Sequence, residues 1–195
     1  MPFSRIFLVN FYTVRTDGRF PLTNLTQGRL DVLCRVVRDT LLTSNGIRQD
    51  TTLLAVLNGP PKPPKQLEFR GSEIKRLHPD ERSIAGLIRS TLKGKKNSGI
   101  HCWEQRSLKE SLELTRSSKL FYLQETGEDI HNVLTNYLHD KCIFVLGDHL
   151  GLKKEDEQLL ESYNPVTISI GPISLLSSQC ITLIHNEIDR REVEK

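Results

Sequence analysis

Residues 165–191, PVTISIGPISLLSSQCITLIHNEIDRR, decide how the rest of the chain is read. Val166, Ile168 and Ile170 alternate with Thr167 and Ser169, the period of two that a strand shows. Gly171-Pro172 ends that strand: glycine tolerates backbone angles other residues avoid, and proline has no N–H to give to a ladder. Beyond Ser177 and Ser178, both suited to cap a helix N-terminus, Ile181, Ile184 and Ile188 recur at helical spacing. A strand that delivers its C-terminal end into such a loop is where open α/β sheets bind ligands. The stretch alone suits an ordinary strand–helix unit equally well.

Working outward, the same alternation continues upstream. Residues 142–146 read as a buried strand ending at Gly147-Asp148-His149-Leu150-Gly151, and 154–161 as a helix. A strand at 120–123, a loop at 125–129 and a helix at 130–138 precede them, after a strand at 100–103 and a helix at 108–114. In the first half, 5–14 is a strand, and 27–43 is a helix with Leu30, Leu33, Cys34, Val37 and Leu41 on one face. Asn24 or Thr26 is its expected cap and Gly46 its expected stop. Residues 51–57 form a continuous apolar strand of the buried type, 58–64 a rigid proline-rich loop, and 66–70 a short strand. Asp80, with Ser83 three residues on, starts a helix whose apolar face is Ile84, Leu87, Ile88 and Leu92. The expected architecture is α/β, a mostly parallel sheet with helices on both faces, in a single domain over 1–195.

Composition narrows the class. An apolar fraction of 37% and a charged fraction of 26% belong to an ordinary globular chain, and no apolar run approaches the roughly 18 residues of a membrane span. The apolar run at 6–11 is not followed by a small-residue cleavage pattern, which argues against a signal peptide. Cys34, Cys102, Cys142 and Cys180 form no CxxC pair; they read as buried thiols in a reducing, cytoplasmic setting, with no metal expected. The net charge of +3 hides a basic half, +9 over 1–110, and an acidic half, −6 over 111–195. Lys93, Lys95 and Lys96, with Lys62 and Lys65, are the densest basic positions, which points to a polyanion partner for the first half.

Three second-half loops, after Leu123, Leu146 and Ile170, open at one sheet edge if their strands are parallel. Neither GxGxxG after a strand nor GxxxxGK[ST] occurs, so neither a dinucleotide site nor a P-loop is supported. The segments GRLDVLCR (28–35), GSEIKRLHPDERS (71–83), FVLGDHLGL (144–152) and SIGPISLLSSQCITLIHNEIDR (169–190) together resemble the archaeal tRNA pseudouridine-54 N1-methyltransferases of the SPOUT superfamily. The resemblance implies a C-terminal trefoil knot, a homodimer, S-adenosylmethionine as cofactor and tRNA as substrate. It divides the chain into a substrate-binding half, 1–110, and a knotted cofactor-binding half, 111–195.

Carried over residue by residue, the implied cofactor site is Leu123, Gly147, the run Ile170, Gly171, Pro172, Ile173, Ser174 and Leu175, and Cys180. Cys180 is expected to line the pocket and not to act as a nucleophile, because methylation of a ring nitrogen needs no covalent adduct. Asp31 is the first candidate to accept the N1 proton or to hydrogen-bond the base, and equally suits a helix's first turn electrostatically. His185 is second, although its apolar helix favours a core histidine. Arg29, Arg76 and Arg82 are expected to grip phosphates, with Glu73 and Asp80 ordering those arginines or reading a base edge. A departure from some members of the family stands at Gln179, where they carry histidine. The alternatives are a ribosomal-RNA pseudouridine methyltransferase and a non-catalytic RNA-binding module of the same fold.

Overall fold

The computed structural model describes residues 4–137 and 141–193. Strand β1 (Arg5–Phe11) is buried at every position and forms the spine of the sheet. A long loop and one 3-10 turn (Gln27–Arg29) lead into α1 (Leu30–Leu41), followed by a tiny hairpin, β2 (Leu42–Thr43) and β3 (Gly46–Ile47). Then come β4 (Thr51–Leu57), β5 (Lys65–Arg70), α2 (Glu81–Leu92), β6 (Ile100–Glu104) and α3 (Leu108–Leu114). The second half runs β7 (Lys119–Asp129), α4 (Ile130–Leu134), β8 (Cys142–Gly147), α5 (Lys154–Glu161), β9 (Val166–Ser169) and α6 (Ser177–Val193).

The seven-stranded sheet has the order β6-β5-β4-β1-β8-β7-β9. From β4 to β9 all neighbours are parallel, and β5 and β6 are antiparallel additions at one edge. Along β1 the alternation divides the core into two layers. Phe7, Val9 and Phe11 pack with α1, α2, α4 and α6, while Ile6 and Leu8 pack with Leu108 and Leu112 of α3 and Leu160 of α5. In the first layer the rings of Phe7 and Phe121 both stack on Phe144, with centroids 5.5 and 5.1 Å away.

Helix α6 closes the domain. Ile181, Ile184 and Ile188 are fully buried, and its His185 ring lies 4.9 Å from that of Phe7. Its far end is fixed by Arg5, which is 2% exposed and meets Asp50 at 2.9 Å, Asp189 at 2.6 Å and Glu192 at 2.8 Å. Arg48 adds a second contact to Asp189, also at 2.6 Å. A buried guanidinium needs such partners, because removing a charge from water without them costs several kcal/mol.

Several expectations change. The segment 125–129 is not a free loop: β7 continues through it and pairs with β9 again at Glu128–Ile168, after a bulge between Leu123 and Glu128. Gly127 permits this, since a Cβ there would sit 2.4 Å from the Ile168 backbone. Helix α4 stops at Leu134, and the expected end at Leu138 lies outside the described residues. Helix α1 has no side-chain cap from Asn24 or Thr26; Arg29, in a left-handed conformation with φ 56°, precedes it. It ends at Leu41, short of Gly46. Asp80 does cap α2, accepting from the Ser83 N–H at 2.8 Å.

Candidate active site

Parallel strands align their C-terminal ends, so the loops leaving β7, β8 and β9 meet at one edge of the sheet. There they enclose a cleft of about 720 Å³, within the range that holds a nucleoside-sized ligand. Leu123, Gly147, Ile170, Gly171, Ile173, Ser174, Leu175 and Cys180 all line it; Pro172 belongs to the same loop but does not.

Each loop is fastened to another. Ser174 Oγ donates to Glu125 Oε1 at 2.6 Å, linking the loop after β9 to the bulged part of β7. Ser177 Oγ donates to the Gly147 carbonyl at 2.7 Å, linking the start of α6 to the end of β8. The Gln179 side chain reaches back over the start of α6, accepting from the Leu176 N–H at 3.0 Å, and both residues line the cleft. In the middle loop, Asp148 accepts from the Tyr12 N–H at 3.1 Å and the Leu150 N–H at 2.8 Å. Gly147 has a packing role: a Cβ there would lie 2.2 Å from the Gly151 backbone, inside its own loop.

The cleft is electrostatically one-sided. Glu125, Asp148 and Glu157 are among its lining residues, and no lysine or arginine is, among the described residues. The hydrogen bond from Ser174 holds the Glu125 carboxyl below its ordinary value. Such a lining, acidic side chains beside Leu123, Ile168, Ile170 and Ile173, suits a cationic ligand with an apolar part. Burial pushes the Cys180 thiol up to about 11, which leaves it protonated and poorly nucleophilic. Burial likewise raises Tyr122, whose hydroxyl donates to Glu157, to about 12.

Asp31 and Arg29 are not in the cleft lining. They sit at the start of α1, on the neighbouring part of the same edge. Asp31 is buried between two guanidiniums, accepting from Arg29 Nε at 3.2 Å and Arg35 Nη2 at 2.7 Å, and Arg35 also approaches Glu81 of α2 at 3.8 Å. Helices α1 and α6 both start at this edge, and the His185–Thr40 hydrogen bond of 3.0 Å sets their relative height. Asp31 and Leu176 each lie nine residues earlier, roughly 13 Å back along helices rising 1.5 Å per residue. Asp31 is thus level with the cleft rim.

His185 is a core residue, 2% exposed. Arg5 Nη1 donates to its Nδ1 at 3.0 Å, because a guanidinium has no lone pair to accept with. The ring proton is therefore on Nε2, which donates to the Thr40 carbonyl. Burial, with Arg48 and Arg5 nearby, drives its pKa down to about 3.

The expected phosphate contacts separate. Arg76 and Arg82 are exposed and have no ion pair among the described residues. Glu73 orders Arg70 at 3.0 Å and His101 at 3.3 Å, not Arg29, Arg76 or Arg82. Asp80 is committed to its cap. Other basic groups gather around residues 15–19: Lys62 N–H donates to Thr16 Oγ1 at 3.1 Å, and a Cβ on Gly18 would meet Lys93 Cγ at 3.2 Å. The sequence reading missed Glu125, Asp148, His149 and Glu157 as cleft residues. Only their placement in or beside strand-end loops marked the first three.

Among the described residues, no group of three or more His, Cys, Asp or Glu side chains is arranged to hold a metal ion. No helix is long and apolar enough to cross a membrane.

Residues 4–193 match the model of a family described as "Putative SAM-dependent RNA methyltransferase". A Methanosarcina acetivorans protein named tRNA (pseudouridine(54)-N(1))-methyltransferase is 39% identical over 194 residues, covering 94% of this chain and 90% of its own. A Methanocaldococcus jannaschii protein of the same name is 37% identical, covering 85% and 86%. Among solved structures, Archaeoglobus fulgidus Nep1 bound to S-adenosylhomocysteine superimposes with a TM-score of 0.69 over 99% of this chain and all of its own, at 13% identity.

Proposed function

This chain belongs to the RNA methyltransferase family whose model spans residues 4–193, and from that premise we propose that it methylates N1 of pseudouridine 54 in the T-loop of tRNA with S-adenosylmethionine. The observation that carries the reading is the cleft itself: three strand-end loops, rich in backbone and acidic side chains, with space for a cationic nucleoside.

In this reading the loop backbones of Leu123, Gly147 and Ile170 to Leu175 hold the cofactor, and Cys180 fills the wall beneath it. Glu125 and Glu157 offset its positive charge. When bound, it supplies a methyl group activated as a sulfonium. The protein's task is positioning, worth up to roughly 7–11 kcal/mol in ideal cases. Asp31, held by Arg29 and Arg35, accepts a hydrogen bond from the base and fixes its orientation. Arg76 and Arg82 take phosphates, and the Lys62 and Lys93 region extends the basic surface. The division of labour between 1–110 and 111–195 follows this placement.

The knot, the homodimer and a cytoplasmic setting belong to the same proposal. Return of the chain after β9 to the end of β8, through the Ser177–Gly147 bond, supports a threaded C-terminal half. The dimer does not draw on Ile181, Ile184 and Ile188, which the protein's own core consumes. It draws on Ile173, Leu176 and Leu183, which are 72%, 53% and 39% exposed at the cleft rim and on α6. Cys34, Cys102 and Cys180 are free thiols, as suits a reducing compartment. Calorimetric titration with S-adenosylmethionine tests the reading: saturable binding with one site per chain is expected, and no heat of binding leaves only the non-catalytic module.

A further inference from the structure

Methyl transfer to N1 leaves one proton to be placed, and Asp31 is badly suited to take it, because its carboxylate is already engaged by two guanidiniums. His149 stands in a different position. It lines the cleft, and its Nδ1 is buried, faces Asp148 Oδ1 at 3.5 Å, and has no hydrogen-bond partner among the described residues. Asp148 is itself fixed by the Tyr12 and Leu150 N–H groups, so its carboxylate is a rigid support. The accessible part of the His149 ring, 20% of the side chain, therefore lies on atoms other than Nδ1. A carboxylate behind one buried ring nitrogen, on a histidine whose exposed atoms line a ligand cleft, is the arrangement of an oriented imidazole base.

Resting on the function proposed above, we infer that His149 is the catalytic residue that accepts the N1 proton, with Asp148 as its positioning residue. As N1 forms its bond to the methyl carbon, the methyl–sulfur bond breaks and its electron pair stays on sulfur, giving a neutral thioether. The N1–H proton passes to the free ring nitrogen of His149, so the methylated base leaves neutral. Asp148 faces the imidazolium so formed, which later returns the proton to water. Asp148, Glu125, Glu157, Tyr122 and Cys180 are the other ionisable side chains lining the cleft, and Glu125 and Glu157 share the charge-offsetting role already assigned.

The test compares full-length wild type with His149→Gln in single-turnover transfer to a pseudouridine-containing T-arm RNA, across pH. The variant is expected to bind S-adenosylmethionine within a few-fold of wild type and to lose about 10²–10⁴-fold in rate near neutrality. That deficit should shrink as pH rises toward ionisation of N1 itself, which a merely structural residue would not show. Independently of turnover, the His149 ring nitrogens of wild type should shift in NMR on adding pseudouridine RNA and not on adding the uridine transcript. A His149→Gln rate within threefold of wild type overturns the proposal, as does a deficit constant with pH, or a wild-type ring signal that the RNA does not move. If wild type itself transfers no methyl group, the underlying function fails instead.

Discussion

The hydroxyl of Ser177, the first residue of α6, donates to the carbonyl of Gly147, the last residue of β8, at 2.7 Å. This bond holds two walls of the cleft together, and it depends on Gly147 staying where it is. The α-hydrogen side of that glycine abuts Gly151 so closely that a Cβ would lie 2.2 Å from its backbone. Gly147→Ala therefore displaces the loop before it can obstruct a ligand. Overpacking of this kind costs roughly 1–3 kcal/mol, so both melting temperature and cofactor affinity are expected to fall, affinity by at least tenfold. A variant with unchanged calorimetric affinity would remove Gly147 from the site.

His185 makes stability depend on pH. Its folded pKa of about 3 lies below the ordinary value of 6.5, so between these values the unfolded chain binds the extra proton. Stability is then fully present above about pH 6.5 and falls as pH drops toward 3, by at most about 1.4 kcal/mol per unit. Asp189, lowered by its hydrogen bonds to Arg48 and Arg5, adds a loss only under more acidic conditions, below its own ordinary 3.8. Urea melts at pH 5 and pH 7 should differ in wild type and differ less in His185→Gln. Equal pH dependence in both would assign the effect elsewhere.

Arg82 is exposed and has no ion pair among the described residues, whereas Arg35 is bound to Asp31. Arg82→Ala should weaken tRNA binding, lower the salt slope by about one, and leave cofactor binding unchanged. Asp31→Ala should instead lower turnover at saturating tRNA, because it releases the Arg29–Arg35 clamp. Filter binding over a salt series, beside rate measurements, separates the two; a salt slope unaltered by Arg82→Ala would take that residue off the RNA path.

Sedimentation at micromolar concentration should give about twice the 22.3 kDa chain mass. Leu183→Asp, which charges an exposed position of α6, should shift it toward monomer while leaving the melting temperature within a few degrees. A wild-type monomer would contradict the proposed assembly.

Much of the fold was legible because burial imposes a period. The helices at 108–114 and 154–161 and the strand at 51–57 stand where the pattern puts them. The three cleft loops were legible because small residues crowd the ends of apolar runs. What escaped depends on partners far away in the chain. Glu125 to Asp129 reads as a polar loop until Ile168 pairs with it, and His185 is a core residue because Arg5, 180 positions away, holds its ring. Glu73 and Asp80 read as supports for nearby arginines. In the structure Glu73 pairs with Arg70, three residues back, and the carboxylate of Asp80 goes to the helix start that its spacing to Ser83 had already indicated. Spacing reports local geometry, and side-chain commitment is set by what the fold brings alongside.

The central claim is that the chain methylates N1, and N1 is available only after isomerisation: in pseudouridine it carries a proton, whereas in uridine it is bound to the sugar. The most direct measurement is methyl transfer from labelled S-adenosylmethionine to two tRNA transcripts that differ only in uridine or pseudouridine at position 54. Label on the pseudouridine transcript alone is the predicted result. Equal label on both would contradict the account, because methylation at C5 or on the ribose needs no isomerised base.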